Sequence, residues 1–141
     1  MKKILLIMIG LSCLVQAEII RDSATGIVRD TATKLEWQDD VLGNSMAWEA
    51  AITQCEVLIL GGHSDWRLPN INELKSIVDR SKFDPAIVTG FINTSSSFYW
   101  SSNTYESSRS YAWDVGFYGG RVYYSGYKEY DGYVRCVRDG E

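Results

Sequence analysis

Gly61-Gly62-His63-Ser64-Asp65-Trp66-Arg67-Leu68-Pro69-Asn70-Ile71-Asn72-Glu73-Leu74 is the stretch where the chain turns from one helix into the next. Glycine takes left-handed backbone angles without a Cβ clash, so Gly61-Gly62 is expected to end the first helix. Asn70 and Glu73 carry a helix-start signature: the Asn70 side chain accepts from the amide of residue 73 while Glu73 reaches back to the amide of Asn70. A second helix therefore begins at Asn70, with Ile71, Leu74, Ile77 and Val78 on one apolar face. Between the two helices, a buried Trp66 and a pair between Asp65 and Arg67 would pin the connection.

Working outward, the first helix reads from Trp48, Ala51, Ile52, Cys55 and Leu58, which recur at helical spacing, with Asn44 or Ser45 as its cap. Cys55 then points inward. Upstream, Ile27 to Arg29 and Lys34 to Trp37 flank a turn built on Asp30 and Thr33, an N-terminal hairpin. Downstream, Lys82 to Ile87 is an ordered loop in which Pro85 forces Asp84 from helical angles. The segment from Phe91 to Phe98 is a serine-rich loop. All nine tyrosines lie beyond Phe98, and aromatic and β-branched residues favour pleated surfaces, so this half is sheet. Within it, Tyr111, Trp113, Val115 and Phe117 alternate with Ala112, Asp114 and Gly116, placing the odd positions inward. Gly119-Gly120 reads as a two-residue hairpin turn, and Tyr133 to Arg138 as the last strand.

The chain opens with a charged Met1-Lys2-Lys3, an apolar run from Ile4 to Leu11, and small residues before Glu18. That is the pattern of a signal peptide over residues 1–17, leaving one domain over residues 18–141 in an exported protein of the periplasm, cell surface or extracellular space. The apolar run is short for a bilayer of about 30 Å. Cys13 raises lipidation as an alternative, although Gly10 at the third position before it fits poorly. Loss of Lys2 and Lys3 from the 14 basic residues, against 18 acidic ones, takes the net charge of −4 to about −6. Nucleic acid is excluded as a default partner, since its binding rests on clustered Lys and Arg. Of the three cysteines, Cys55 and Cys136 remain after cleavage. In an oxidising compartment they most simply form one disulfide, with free thiols as the alternative.

Taken together, Gly26-Ile27-Val28-Arg29-Asp30 through Leu35-Glu36-Trp37, the Gly61 to Leu74 stretch, Tyr99-Trp100-Ser101-Ser102, Ala112-Trp113-Asp114-Val115 and Val134-Arg135-Cys136-Val137-Arg138 resemble, in this order, the C-terminal domain of the collagen-like adhesin Lcl. Asp65-Trp66-Arg67-Leu68-Pro69-Asn70 is the most specific of these runs. The resemblance implies an α+β, C-type lectin-like fold: two helices flanking a twisted, mostly antiparallel sheet, with a disulfide from the first helix to the last strand. It supports pairing Cys55 with Cys136. Sugar-binding C-type lectins hold calcium with Glu-Pro-Asn or Gln-Pro-Asp and Trp-Asn-Asp motifs, whereas this chain has Asp84-Pro85-Ala86 and Trp113-Asp114-Val115, so calcium-dependent sugar binding is not expected. The adhesin is associated with sulfated glycosaminoglycans, but a domain charge near −6 lacks the basic balance for such a ligand.

No metal-ligand spacing and no cofactor motif stands out; His63, the single histidine, reads as a turn residue, and the scattered aspartates as solvated surface. Similar folds include formylglycine-generating enzymes that rely on active-site cysteines, whereas Cys55 and Cys136 are expected here to be taken up by the bridge. The expectation is thus a non-enzymatic recognition or adhesion module that binds a glycan or an extracellular or envelope protein. Candidate ligand-binding residues are Tyr105 and Arg109 in the Asn103 to Ser110 loop, and Tyr118, Tyr123 and Tyr127, since tyrosines offer large rigid contact surfaces with a polar tip. The alternative is a structural domain of the bacterial cell envelope that assembles as a homo-oligomer.

Overall fold

A computed structural model describes residues 16–140, so the expectations for residues 1–15, Cys13 among them, lie outside it. Asp22 and Asp30 each close a turn by accepting a backbone N–H two residues on, Ala24 at 2.9 Å and Ala32 at 2.8 Å. These turns fold β1 (Ile19–Asp22), β2 (Ile27–Asp30) and β3 (Leu35–Gln38) into an antiparallel meander. The expected hairpin is β2 and β3; β1 is an addition that sequence reading did not foresee.

After the short strand β4 (Ser45–Met46) comes α1 (Trp48–Val57). Its N-cap is Ala47, without a side-chain bond, rather than Asn44 or Ser45; the Trp48 amide instead donates to the Lys128 carbonyl at 3.0 Å. Nor does the glycine pair end this helix. The chain turns extended at Leu58, so that Leu58 and Leu60 both pack inward while Ile59 is exposed, the period-two geometry of a strand. Gly61 and Gly62, at φ +61° and +78°, shape the following turn, across which Leu60 and His63 exchange backbone hydrogen bonds of 3.1 and 3.0 Å.

The second helix, α2 (Ile71–Ser76), starts as expected: the Glu73 amide donates to Asn70 Oδ1 at 2.8 Å and the Asn70 amide to Glu73 Oε1 at 2.9 Å. It stops before Ile77 and Val78, because residues 86–88 take over the backbone bonding there. The Val88 amide donates to the Ile77 carbonyl at 3.0 Å, and Val78 bridges Ile87. Trp66 is buried as expected, but Asp65 and Arg67 do not pair with each other. Arg67 exchanges backbone hydrogen bonds of 2.9 and 2.8 Å with Val137, which brings the next two residues alongside. Asp65 therefore meets Arg138 at 2.7 Å, while Arg67 grips Glu73 at 2.6 Å and Asp139 at 3.0 Å.

The aromatic half forms β5 (Phe98–Thr104), β6 (Tyr111–Gly116), β7 (Arg121–Tyr127) and β8 (Gly132–Tyr133). Residues Phe117 to Gly120 make a longer connection than the two-residue turn expected, closed by the Gly120 amide on the Gly116 carbonyl at 2.8 Å. The expected last strand is divided. Tyr133 pairs with Tyr99, and residues 134–136 carry the chain across to β9 (Val137–Asp139), which pairs with β3.

Two sheets result, in the orders β1-β2-β3-β9 and β4-β8-β5-β6-β7, antiparallel except where β5 meets β8. The architecture is α+β with two helices and two mostly antiparallel sheets, where a single sheet was expected. Val28, Trp37, Leu74, Ile77, Tyr99, Phe117 and Val137 form one buried cluster; Trp66, Leu68, Trp100, Ala112 and the disulfide form the other. Cys55 and Cys136 are bonded, with Cα atoms 5.4 Å apart, and neither is exposed.

Candidate functional site

The pairing of β6 with β7 shifts register between Ala112, opposite Gly126, and Asp114, opposite Tyr123. A bulge of this kind re-aims the side chains around it. It overturns the simple alternation read for β6: Ala112 and Asp114 are buried beside Val115 and Phe117, while Trp113 is only half-buried. Around the bulge the rings of three strands gather in groups. Tyr105 lies 4.8 Å from Tyr124 and 5.7 Å from Trp113 between ring centroids. Phe98 is met edge-on by Tyr118 at 5.6 Å and Tyr123 at 5.5 Å. Tyr127 touches Tyr111 at 5.5 Å and Tyr130 at 5.1 Å. Such tilted and edge-to-face pairs hold each other in place, yet Tyr124 and Tyr130 remain 54% and 72% exposed.

Between these groups opens a cleft of about 280 Å³ lined by Phe98, Trp100, Tyr127, Tyr130, Asp114 and Asp131 with Ser125, Gly126 and Gly132. Its walls close up only because two of its residues are glycines. A Cβ on Gly126 would collide with Asp114 Oδ2 and the Trp100 ring, and one on Gly132 would fall 2.7 Å from Trp100 Nε1. Trp100 is held by its own Nε1–H donated to the Met46 carbonyl at 2.9 Å. Asp114 is 3% exposed, and its Oδ1 is buried without a hydrogen-bond partner among the described residues. Burial in this aromatic setting pushes the Asp114 carboxyl up to about 7.

Of the residues singled out from the sequence, Tyr127 lines this cleft. Tyr118 and Tyr123 stand beside it through Phe98, with their hydroxyls hydrogen-bonded to each other; that bond, then burial, raises the Tyr118 phenol to about 12. Arg109 is elsewhere. It pairs with Glu106 at 2.6 Å in an exposed loop and borders a second, polar depression with Glu49, Lys128, Glu129 and Tyr127. Tyr105 turns to Trp113 and Tyr124, so the loop does not bring Tyr105 and Arg109 to one point. Trp100, Gly126 and Gly132 escaped sequence reading as site residues; Tyr130 is one of the tyrosines expected to be exposed, and Asp114, read with Asp131 as solvated surface, is instead buried. One signal was present: aspartate is depleted in strand interiors, so Asp114 amid Trp113 and Val115 was out of place.

A family model described as the Lcl C-terminal domain matches residues 26–138. The chain belongs to the Lcl C-terminal domain family. No curated protein matches it. The match takes in every strand of the aromatic sheet, so the cleft is built wholly from residues of the Lcl C-terminal domain. Among the described residues of this domain, no three His, Cys, Asp or Glu side chains gather as a metal site, and no helix is long and apolar enough to cross a membrane.

Proposed function

We propose that this domain is a non-enzymatic recognition module of an exported bacterial protein, holding a glycan or protein ligand against the aromatic strands β5, β6 and β7. The observation that carries the reading is the cleft itself, where exposed Tyr130 and half-buried Tyr127 stand over buried Trp100 and an unpartnered carboxylate. Interface hot spots are commonly built from Tyr and Trp in this way. The buried disulfide supports an oxidising destination, in the periplasm, at the cell surface or outside the cell. The helix pair, the two sheets and the bridge from α1 to the chain's end also fit a C-type lectin-like fold.

The test is a glycan and protein array probed with the purified domain and with a Tyr124→Ala/Tyr130→Ala variant. Ligands of the wild type are expected to lose at least tenfold in affinity. Equal binding by both proteins would overturn the assignment to this face. A Tyr105→Ala/Arg109→Ala variant that binds like the wild type would remove the loop from the site.

A second reading has its own observation. Among the described residues, β7 is an edge strand with no strand paired on its outer side, and it carries exposed Tyr124. Unprotected edges pair with other chains, which favours self-assembly in the envelope. A mass that rises with protein concentration in sedimentation equilibrium would support it, and a constant monomer mass would remove it.

A further inference from the structure

The cleft between β5, β6, β7 and β8 has walls of one chemistry and a floor of another. Its rings are Phe98, Trp100, Tyr127 and Tyr130, and its two charged side chains, Asp114 and Asp131, are both acidic, with no Lys, Arg or His in the lining. Aromatic faces carry negative charge density and attract cations, most strongly when the site is shielded from water. A neutral or anionic ligand would leave the Asp114 carboxylate uncompensated or repelled. A buried acid without a hydrogen-bond donor is a costly arrangement that a bound donor relieves.

We propose that this cleft is a binding site for an aliphatic ammonium group, presented by a lysine side chain of a partner protein and seated between the aromatic rings with its N–H groups donated to Asp114. The inference rests on the recognition reading above and names what is recognised. Lysine is favoured over an amino sugar by the lining: rings and glycine backbone suit a methylene stem, whereas the hydroxyls of a sugar would find few polar partners beside Ser125 and Asp131. Gly126 and Gly132 matter because they let the backbone lie directly against Trp100 and, at Gly126, Asp114; a larger residue would displace the ring that the stem packs on.

Ionisation of Asp114 enters directly, since the ammonium needs the carboxylate charged. The groups facing Asp114 are Asp131, Tyr127 and Tyr130 in the lining, Tyr123 opposite it on β7, and Tyr118, whose phenol senses its charge. Asp114 is the buried carboxylate among them, and its charge state governs cation binding. Burial of Asp114 then makes cation binding weaken well above the usual carboxylate range.

The experiment titrates the domain with Nα-acetyl-lysine methylamide, with its Nε-acetylated form, and with glucosamine, following ring and glycine amide resonances by NMR at pH 5 and pH 8. Expected are saturable shifts at Gly126 and Gly132 with the charged lysine probe at pH 8, at least tenfold weaker binding at pH 5, and none with the acetylated form. Asp114→Asn should weaken the charged probe by at least tenfold, with a thermal melt to show that the variant is folded. If it does not fold, the acetylated probe and the pH comparison on the wild type decide alone. Equal binding of charged and acetylated probes overturns the ammonium assignment, and preference for glucosamine overturns the lysine source. If no probe shifts these residues while the Tyr124→Ala/Tyr130→Ala variant still loses an array ligand, this inference fails and the recognition reading stands.

Discussion

Arg135 Nη1 lies 2.6 Å from Asp39 Oδ1, and both side chains are buried, at 3% and 0% exposure. Every polar atom of the pair but Arg135 Nε, which is buried without a hydrogen-bond partner among the described residues, is engaged. Arg21 engages the other oxygen of Asp39, the Ile92 amide donates to it at 2.8 Å, and Arg135 donates to the carbonyls of Gln38 and Asn93 and to Thr94 Oγ1, each at 2.8 Å. The Arg135 guanidinium also sits over the Phe91 ring at 4.7 Å. This network ties the end of β3 to the crossing between the two sheets and to the loop before β5.

Asp39→Ala should lower stability by about 3 to 5 kcal/mol, because it leaves a buried arginine without its counter-charge. Urea unfolding followed by tryptophan fluorescence measures the loss. A loss below about 1 kcal/mol would show that the pair is solvated rather than buried.

Replacing both Cys55 and Cys136 by Ala should cost about 4 kcal/mol, from the entropy of an unfolded chain freed of a bridge spanning a sequence separation of 81. The same unfolding assay, with and without reductant on the wild type, reports it. The reduced wild type and the double variant should unfold at similar urea concentrations.

Asp114 should make stability fall as pH rises. Its folded carboxyl, raised to about 7 from 3.8, keeps a proton that the unfolded chain releases at lower pH. The native state is therefore favoured in acid, and this contribution is lost between about pH 4 and pH 7, by at most about 4 kcal/mol. Asp114→Asn should gain stability over the wild type at pH 8 and differ little at pH 4.5. A pH-independent difference between the two proteins would contradict the raised value.

Asn70→Ala should cost about 1 kcal/mol, since it removes the side-chain acceptor for the Glu73 amide at the start of α2. Asn70→Ser, which keeps an acceptor, should recover most of it. Thermal unfolding of the three proteins is sufficient.

Elements whose cause is local were legible in the chain. The Asn70 and Glu73 cap needs groups three residues apart, and the Asp30 turn needs a carboxylate and amides within the same few residues. The extent of α1 and α2 was less so. The Gly61-Gly62 pair and the apolar run to Val78 both read as helix limits, yet Leu58 and Leu60 gain more by extending onto the core, and the carbonyl of Ile77 is taken by Val88. Charged partners were misread for the same reason: Asp65 and Arg67 look like a pair until Val137 lies against them and brings Arg138 and Asp139.

By itself the sequence determined the family, the α+β class, the pairing of Cys55 with Cys136 and the aromatic character of the second half, because these rest on short-range patterns and on composition. Only the tertiary structure decided which rings meet and where a carboxylate is buried. Register is a property of two strands at once: a shift between β6 and β7 accompanies the inward turn of Asp114, and Gly126 and Gly132, further along the chain, let the backbone close against Asp114 and Trp100. No pattern within one segment records that coincidence, since the energy that burial costs Asp114 comes from neighbours contributed by other strands.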